Sequence, residues 1–392
     1  MKLLHTADWH IGRTLNGYSL LKEQKYAFQQ LLKIALEEHV DGIVIAGDIY
    51  DRAVPNVDAV TALNEMFKEI NIDNHLPIYA ISGNHDGAKR LNYGRDWLAY
   101  TDFHLNTLVE EAFKPIETSE AQIFMLPYFD PMDVRAYYRQ NGMSEEDAKS
   151  IHSITDAMNL VLKDIQAKFD PAKKHILITH FAVTPNKDTK LELTSETSST
   201  VGGLATLTAD QFKMFDYVMM GHIHTRFASP SETIRYSGSP VKFNVKEARL
   251  KNKGKGIDIV EISADKITHT FKEIKPQTDL IVLQEDWDTL IDPVFYKKQP
   301  LEKAWFAITV KNFDRSKHIN VRAQLQQIYG TVVELDYENI YQDKQVETTK
   351  NISDLSPDAT VDQFFHSITG NELSATQKQI VDKIFVDLGR EK

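Results

Sequence analysis

Short, uninterrupted apolar runs recur along the first 225 residues, and each stops at a residue able to bind a metal or move a proton. The chain opens with "LLHTADWHIG", where a β-friendly run leads into Asp8 and His10. "HVDGIVIAGDIYDR" carries Ile43–Ala46 into Gly47-Asp48, and "LPIYAISGNHDG" ends in Gly83-Asn84-His85-Asp86. "KKHILITHFAV" runs from His175 to Thr179 and meets His180; "FDYVMMGHIHT" runs from Tyr217 to Met220 and meets Gly221-His222-Ile223-His224. Continuous rather than alternating apolar runs of this length predict strands buried on both faces. Between the first three, "LLKEQKYAFQQLLKIALEEH" and "NVDAVTALNEMFKEIN" place apolar residues at i, i+3 and i+4, the helical period. Strand alternating with helix predicts an α/β fold with parallel pairing, at least there. The C-terminal ends of parallel strands form one rim, where ligands bind in open α/β folds, so residues far apart in sequence are brought to one place.

The pattern changes near "KEIKPQTDLIV", where Pro276 and its polar neighbours predict a boundary. "KAWFAITVKN" reads as a strand, "INVRAQLQQIYG" as a helix ending at Gly330 and "TVVELDYENI" as a second strand, together a small α+β unit. Residues 342–358 are polar and poor in aromatics, a linker composition. Val361, Phe364, Phe365 and Ile368 then fall at i, i+3, i+4 and i+7, and Ser374-x-x-Gln377 forms a capping-box pattern before Ile380, Ile384 and Leu388. These predict two amphipathic helices that either fold onto the protein's own core or dock on another chain. The expected division is 1–272, 278–341, a linker at 342–358 and helices over 359–392.

Composition narrows the chemistry. The 392 residues, 42% hydrophobic and 26% charged, suffice for two or three domains with full cores. With no cysteine, there is no disulfide framework, thiolate nucleophile or sulfur-ligated metal site, so any metal is held by oxygen and nitrogen. Charged residues arrive too early for a signal peptide and no apolar run approaches a membrane span, which predicts a soluble, cytoplasmic protein with no membrane partner. A net charge of −11 is unlike that of a chain binding nucleic acid through its overall field; contact with DNA would be local or assisted by another subunit. The densest basic run, "VKFNVKEARLKNKGKGI" with Lys246, Arg249, Lys251, Lys253 and Lys255, reads as a solvated hairpin loop.

Asp8, His10, Asp48, Asn84, His180, His222 and His224 amount to two carboxylates, one amide oxygen and four imidazoles. That is too many ligands for one tetrahedral ion and suits two ions of higher coordination, bridged by a carboxylate at a separation of about 3.5–4 Å. Hard oxygen with imidazole favours Mn²⁺, Fe²⁺ or Zn²⁺ over Mg²⁺. Gly47, Gly83 and Gly221 each precede a candidate ligand, where the lack of a Cβ allows a sharp turn and close approach. "GD" alone carries no weight. "GNHD" is more specific, since tandem Asn and His after a buried strand seldom serve packing.

The order D-x-H, G-D-x-x-D, G-N-H-D, H, G-H-x-H resembles the calcineurin-like metallophosphoesterase superfamily over roughly residues 1–270. "HTADWHIGR", "GDIYDR", "SGNHD", "GHIH" and "YSGSP" are similar to its nuclease subunits that process DNA double-strand ends with an SbcC-type ATPase. The resemblance implies a layered β-sandwich flanked by helices. It implies that Asp8, His10, Asp48 and His224 hold one ion and Asp48, Asn84, His180 and His222 the other, by preference Mn²⁺, with Asp48 bridging. His85, not itself a ligand, would face the phosphodiester and stabilise or protonate the leaving oxygen. The α+β unit would cap the active site, and the last helices would pack on the coiled-coil base of the ATPase in a two-plus-two complex. That partner would supply much of the DNA-binding surface and cover the acidic charge. Exonuclease action on duplex ends and endonuclease action on single strands or hairpins belong to the same implication.

Asp51 occupies a position that archaeal and eukaryotic relatives typically fill with histidine, so it is expected to support a ligand histidine rather than to react. Asp86 would either orient His85 or cap the following helix. Among the alternatives, protein phosphatases share G-D-x-x-D-R-G, but Ala53 stands in place of the last glycine and Asp86 in place of their usual glutamate. Cyclic-nucleotide phosphodiesterases share GNHD and GHxH but generally lack so long a C-terminal extension. A non-catalytic metal-binding scaffold would have little reason to keep His85 beside all seven ligands.

Overall fold

A computed structural model describes the chain except for residues 187, 190–205, 250–253, 314–317, 339–356, 370–371 and 388–392. All but the last two positions of the expected 342–358 linker, together with Lys251, Lys253 and Leu388, lie outside the described residues.

The buried runs form two stacked sheets. The six-stranded sheet has the order Ile267–Ile274, Lys255–Ile262, Lys2–Thr6, Gly42–Ala46, Ile78–Ile81, Phe103–Asn106, and its last four strands are parallel. The five-stranded sheet has the order Ile234–Tyr236, Tyr217–Gly221, Lys174–His180, Ala121–Leu126, Ile116–Glu117, with only the last pair antiparallel. The continuous apolar pattern follows from what covers each face. In the strand Gly42–Ala46, Ile43 and Ile45 pack with helices Leu21–Glu37 and Val57–Phe67, while Val44 and Ala46 point into the space between the sheets. There Leu3, Val44 and Ile81 meet Ile123, Ile176 and Met219, all fully buried. Helices Pro131–Gln140 and Ile154–Gln166 cover the outer face of the second sheet through Val134, Val161 and Ile165. The result is a four-layer helix–sheet–sheet–helix sandwich, the expected α/β class.

The single rim expected from the sequence is a seam between two. The strands leading to Asp8, Asp48 and Asn84 lie in the first sheet, and those leading to His180 and His222 in the second. Apolar pattern cannot reveal this, because strand order leaves no trace in periodicity.

The C-terminal unit is a three-stranded parallel sheet, Asp279–Asp286, Ala304–Lys311 and Val332–Tyr337, with helix Val321–Tyr329 in the second crossover. The sequence reading finds the last two strands and this helix. It misses the first strand, which directly follows the Pro276 boundary and is taken as part of it. One part of the sheet packs Phe306 and Val310 with Leu290, Leu325 and Tyr329. Leu280, Ala307 and Val333 pack with Leu15, Leu20, Phe243 and Val245 of the sandwich. Helices Pro357–Thr369 and Ala375–Asp387 follow, and Ser374 and Gln377 cap the second reciprocally at 2.9 and 3.3 Å. Phe364, Ile380 and Ile384 remain 68%, 55% and 51% exposed.

Candidate metal centre

The site residues sit on backbone that ordinary residues avoid. Asp8, His10, Asp48 and His222 have φ of +54°, +44°, +50° and +91°. Each such conformation costs about 1–2 kcal/mol and persists only where its surroundings enforce it. Here the turns enforce one another: Asp8 N donates to Gly47 O at 3.0 Å, His10 N to Asp48 O at 2.9 Å, and His222 N to Asp8 Oδ1 at 2.9 Å. Two glycines are required by crowding between the rims rather than by approach to an ion. A Cβ on Gly47, at φ +87°, would strike His180 Nδ1; one on Gly221 would strike Ala46 O.

All seven candidate ligands converge on the seam. His180 Nδ1 is tied to Ala46 O at 2.7 Å, so its Nε2 faces inward, 3.2 Å from Asn84 Oδ1 and 3.3 Å from Asp48 Oδ2. His222 Nδ1 lies 2.8 Å from the same Asn84 oxygen. On the other side His10 Nε2 is 3.1 Å from His224 Nε2 and 3.4 Å from Asp48 Oδ2. One Asp48 oxygen is thus shared by both groups. The atoms of Asp8, His10 and His224, and of Asp8, Asp48 and His180, lie within 4.8 Å of one another.

The electrostatics call for cations. Burial pushes the Asp8 carboxyl up to about 6. Burial acts in the same direction on Asp48, but His180 and His10 hold it well below the usual carboxylate range. Burial opposes a charge on His180, yet Asp48 lifts it to about 9. His222 is pushed down to about 3 by burial, and His10 is lowered for the same reason. Two carboxylates and four imidazoles buried together compete for charge in this way, a conflict that positive ions taking their lone pairs would relieve. The facing Nε2 atoms of His10 and His224 and the buried Asp8 Oδ2, which has no hydrogen-bond partner among the described residues, fit that requirement. So does the donor set of oxygen and imidazole nitrogen.

His85 stands beside the candidate ligands with its ring 4.7 Å from that of His10. Its backbone N–H donates to Asp48 Oδ1 at 2.8 Å, and its Nδ1 lies 2.9 Å from Asp51 O. Asp51 accepts from Arg13 Nη1 at 2.9 Å and lies 3.7 Å from His10 Nδ1, behind that ring. Asp86 does not cap the following helix. Gly87 begins the following helix without a side-chain cap, and both Asp86 oxygens accept backbone N–H groups instead, from Ile49 at 3.1 Å, Tyr50 at 2.9 Å and Gly83 at 2.9 Å. It ties the loop carrying Asp48 to the loop carrying Asn84.

Sequence reasoning missed Glu247, Gln24 and Phe243. Glu247 Oε1 lies 3.8 Å from His224 Nδ1. Burial opposes its ionisation, but Lys255 and then His224 hold it down to about 2. The basic run is therefore not a solvated loop throughout: Val245–Arg249 is helical, and Lys255 begins a strand and pairs with Glu247. Gln24 Nε2 donates to Trp9 O and His10 O at 2.9 and 2.7 Å, and the Phe243 ring packs on His10 and His224. No spacing rule links these residues to the ligands, and Glu247 is hidden among lysines.

The fold and site define a class. A family profile described as Calcineurin-like phosphoesterase matches residues 1–226, more than half the chain, and the chain belongs to that family. More particularly, it is 32% identical over 386 residues to the SbcD subunit of the nuclease SbcCD from Staphylococcus epidermidis, covering 98% of this chain and 97% of that protein. It is 30% identical over 394 residues to the same subunit from Staphylococcus saprophyticus, covering 99% and 98%. A second profile, described as Type 5 capsule protein repressor C-terminal domain, matches residues 276–369. No described helix is long and apolar enough to cross a membrane.

Proposed function

We propose that this chain is the metal-dependent nuclease subunit of a complex that processes DNA ends with an SbcC-type ATPase, and that it hydrolyses phosphodiester bonds at the seam. The observation that carries the chemistry is Asp48 Oδ2, within 3.4 Å of a ring nitrogen on either side and so suited to bridge two ions. Asp8, His10, Asp48 and His224 would hold one ion, and Asp48, Asn84, His180 and His222 the other. Two bound ions of the Mn²⁺ type supply an acidified water and neutralise charge on the phosphoryl oxygens. The protein's own part is geometric. Asp86 and the mutual hydrogen bonds of the turns hold the ligands in place before any substrate arrives. The contact of His85 Nδ1 with Asp51 O fixes the ring beside the candidate ligands, where it would stabilise or protonate the leaving oxygen.

The α+β unit rests on the sandwich through Leu280 and Val333, beside Phe243, and would act as a cap that admits DNA. The exposed Phe364, Ile380 and Ile384 support docking of the last helices on the ATPase; a two-plus-two complex in the cytoplasm belongs to the same proposal. The test is release of labelled nucleotide from a short duplex by the purified chain with Mn²⁺, beside Asp48→Ala, His85→Ala and a simple phosphomonoester. Mn²⁺-dependent cleavage of DNA, lost in both variants, with the monoester spared is expected. Hydrolysis of the monoester with DNA intact would move the chain to the phosphatase branch.

A further inference from the structure

His10 and His224, whose Nε2 atoms face each other across one half of the seam, are backed in the same way. Behind His10 Nδ1, at 3.7 Å, stands Asp51, held by Arg13 Nη1 at 2.9 Å. Behind His224 Nδ1, at 3.8 Å, stands Glu247, held by Lys255. Glu247 is almost wholly buried, its backbone N–H is fixed by Asn244 Oδ1 at 2.9 Å, and its Oε1 accepts from Phe243 N at 3.3 Å. Lys255 Nζ also donates to His224 O at 2.9 Å and Ser239 Oγ at 2.8 Å, so the same cation grips both the carboxylate and the backbone of the ligand loop. Across the seam His180 Nδ1 is instead tied to a backbone carbonyl. A carboxylate behind an imidazole holds the proton on the ring nitrogen that faces it, leaves the lone pair of the opposite nitrogen for the metal and makes that nitrogen a stronger donor.

We infer that Glu247 is a positioning residue for the metal centre: its carboxylate, clamped by Lys255, fixes His224 with Nε2 directed at the ion shared with Asp8, His10 and Asp48. The inference rests on the two-metal reading. Because helix Val245–Arg249 also packs Val245 with Leu280 and Val333 of the C-terminal unit, the orientation of one ligand is tied to the seating of that unit.

The test is calorimetric titration of the full chain with Mn²⁺, with melting of the metal-free chain as the control for folding. The unsubstituted chain, Glu247→Gln and the double variant Glu247→Gln/Lys255→Met are compared. Glu247→Gln is expected to weaken one of two ions by about 10–100-fold and leave the other within a few-fold. It also strands the Lys255 charge, so its metal-free melting temperature falls. The double variant removes that charge and is expected to recover the melting temperature without recovering the affinity. Recovery of both in the double variant would reduce Glu247 to a structural ion pair and overturn the inference, as would unaltered binding of both ions by Glu247→Gln. Failure of the unsubstituted chain to take up two ions would instead remove the two-metal reading beneath it.

Discussion

Asp86 offers a quantitative check on how the site is held together. The residue is 8% exposed, and its carboxylate accepts three backbone N–H groups, those of Ile49 and Gly83 on Oδ2 and that of Tyr50 on Oδ1. Asp86→Ala leaves three donors without an acceptor. At about 1–3 kcal/mol for each stranded group, with some relief from water entering the vacated space, the expected loss is about 3–6 kcal/mol. That is a large share of the stability of an ordinary domain. Asp86→Asn turns its one oxygen to Ile49 and Gly83 and strands only Tyr50, for about 1–3 kcal/mol. It also removes a negative charge that Asp48 disfavours, which keeps the loss near the lower end. Urea denaturation of the metal-free chain, followed by circular dichroism and by the fluorescence of its four tryptophans, reads both values. Equal losses in the two variants, or a loss below about 0.5 kcal/mol in Asp86→Ala, would refute the claim that this carboxylate ties the two loops.

Other consequences can be measured separately. Gly221→Ala should cost at least about 2–3 kcal/mol, because its Cβ meets backbone at Ala46 O, whereas Gly142→Ala, at φ +96° with nothing within 4 Å, should cost about 1 kcal/mol. Comparable melting temperatures for the two variants would sink the crowding argument. His5 is pushed by burial down to about 3 from 6.5 while its ring meets Met220 O at 3.2 Å. The unfolded chain therefore takes up a proton that the folded one refuses. This contribution is complete above pH 6.5 and is lost as pH falls from 6.5 through 3, by roughly 4–5 kcal/mol in all. His5→Gln keeps a donor for Met220 O and should flatten the stability curve over that window; an unchanged slope would show that His5 is not the group responsible.

The parts of the site that could be read from sequence are those attached to a buried strand. A continuous apolar run announces the strand, and Asp48, Asn84, His180 and His222 follow directly, so their convergence needs only the rule that strand ends gather. The division of those strands between two sheets was illegible, because Ile43 and Val44 look alike in sequence while facing opposite layers. The supports were harder still. Glu247 sits in a Lys-rich stretch and reaches His224 only through the turn of a five-residue helix. Asp86 reads as a helix cap by type and position, yet it serves loops on the neighbouring strand ends, a choice set by burial and not by local spacing.

The central claim is that one carboxylate, Asp48, joins two metal ions at the meeting of two sheet rims. Anomalous diffraction from crystals of the chain grown with Mn²⁺ tests it most directly. Two peaks about 3.5–4 Å apart are expected, one beside Asp8, His10 and His224 and the other beside Asn84, His180 and His222, with Asp48 touching both. A single peak, or a pair that leaves Asp48 unligated, would contradict it.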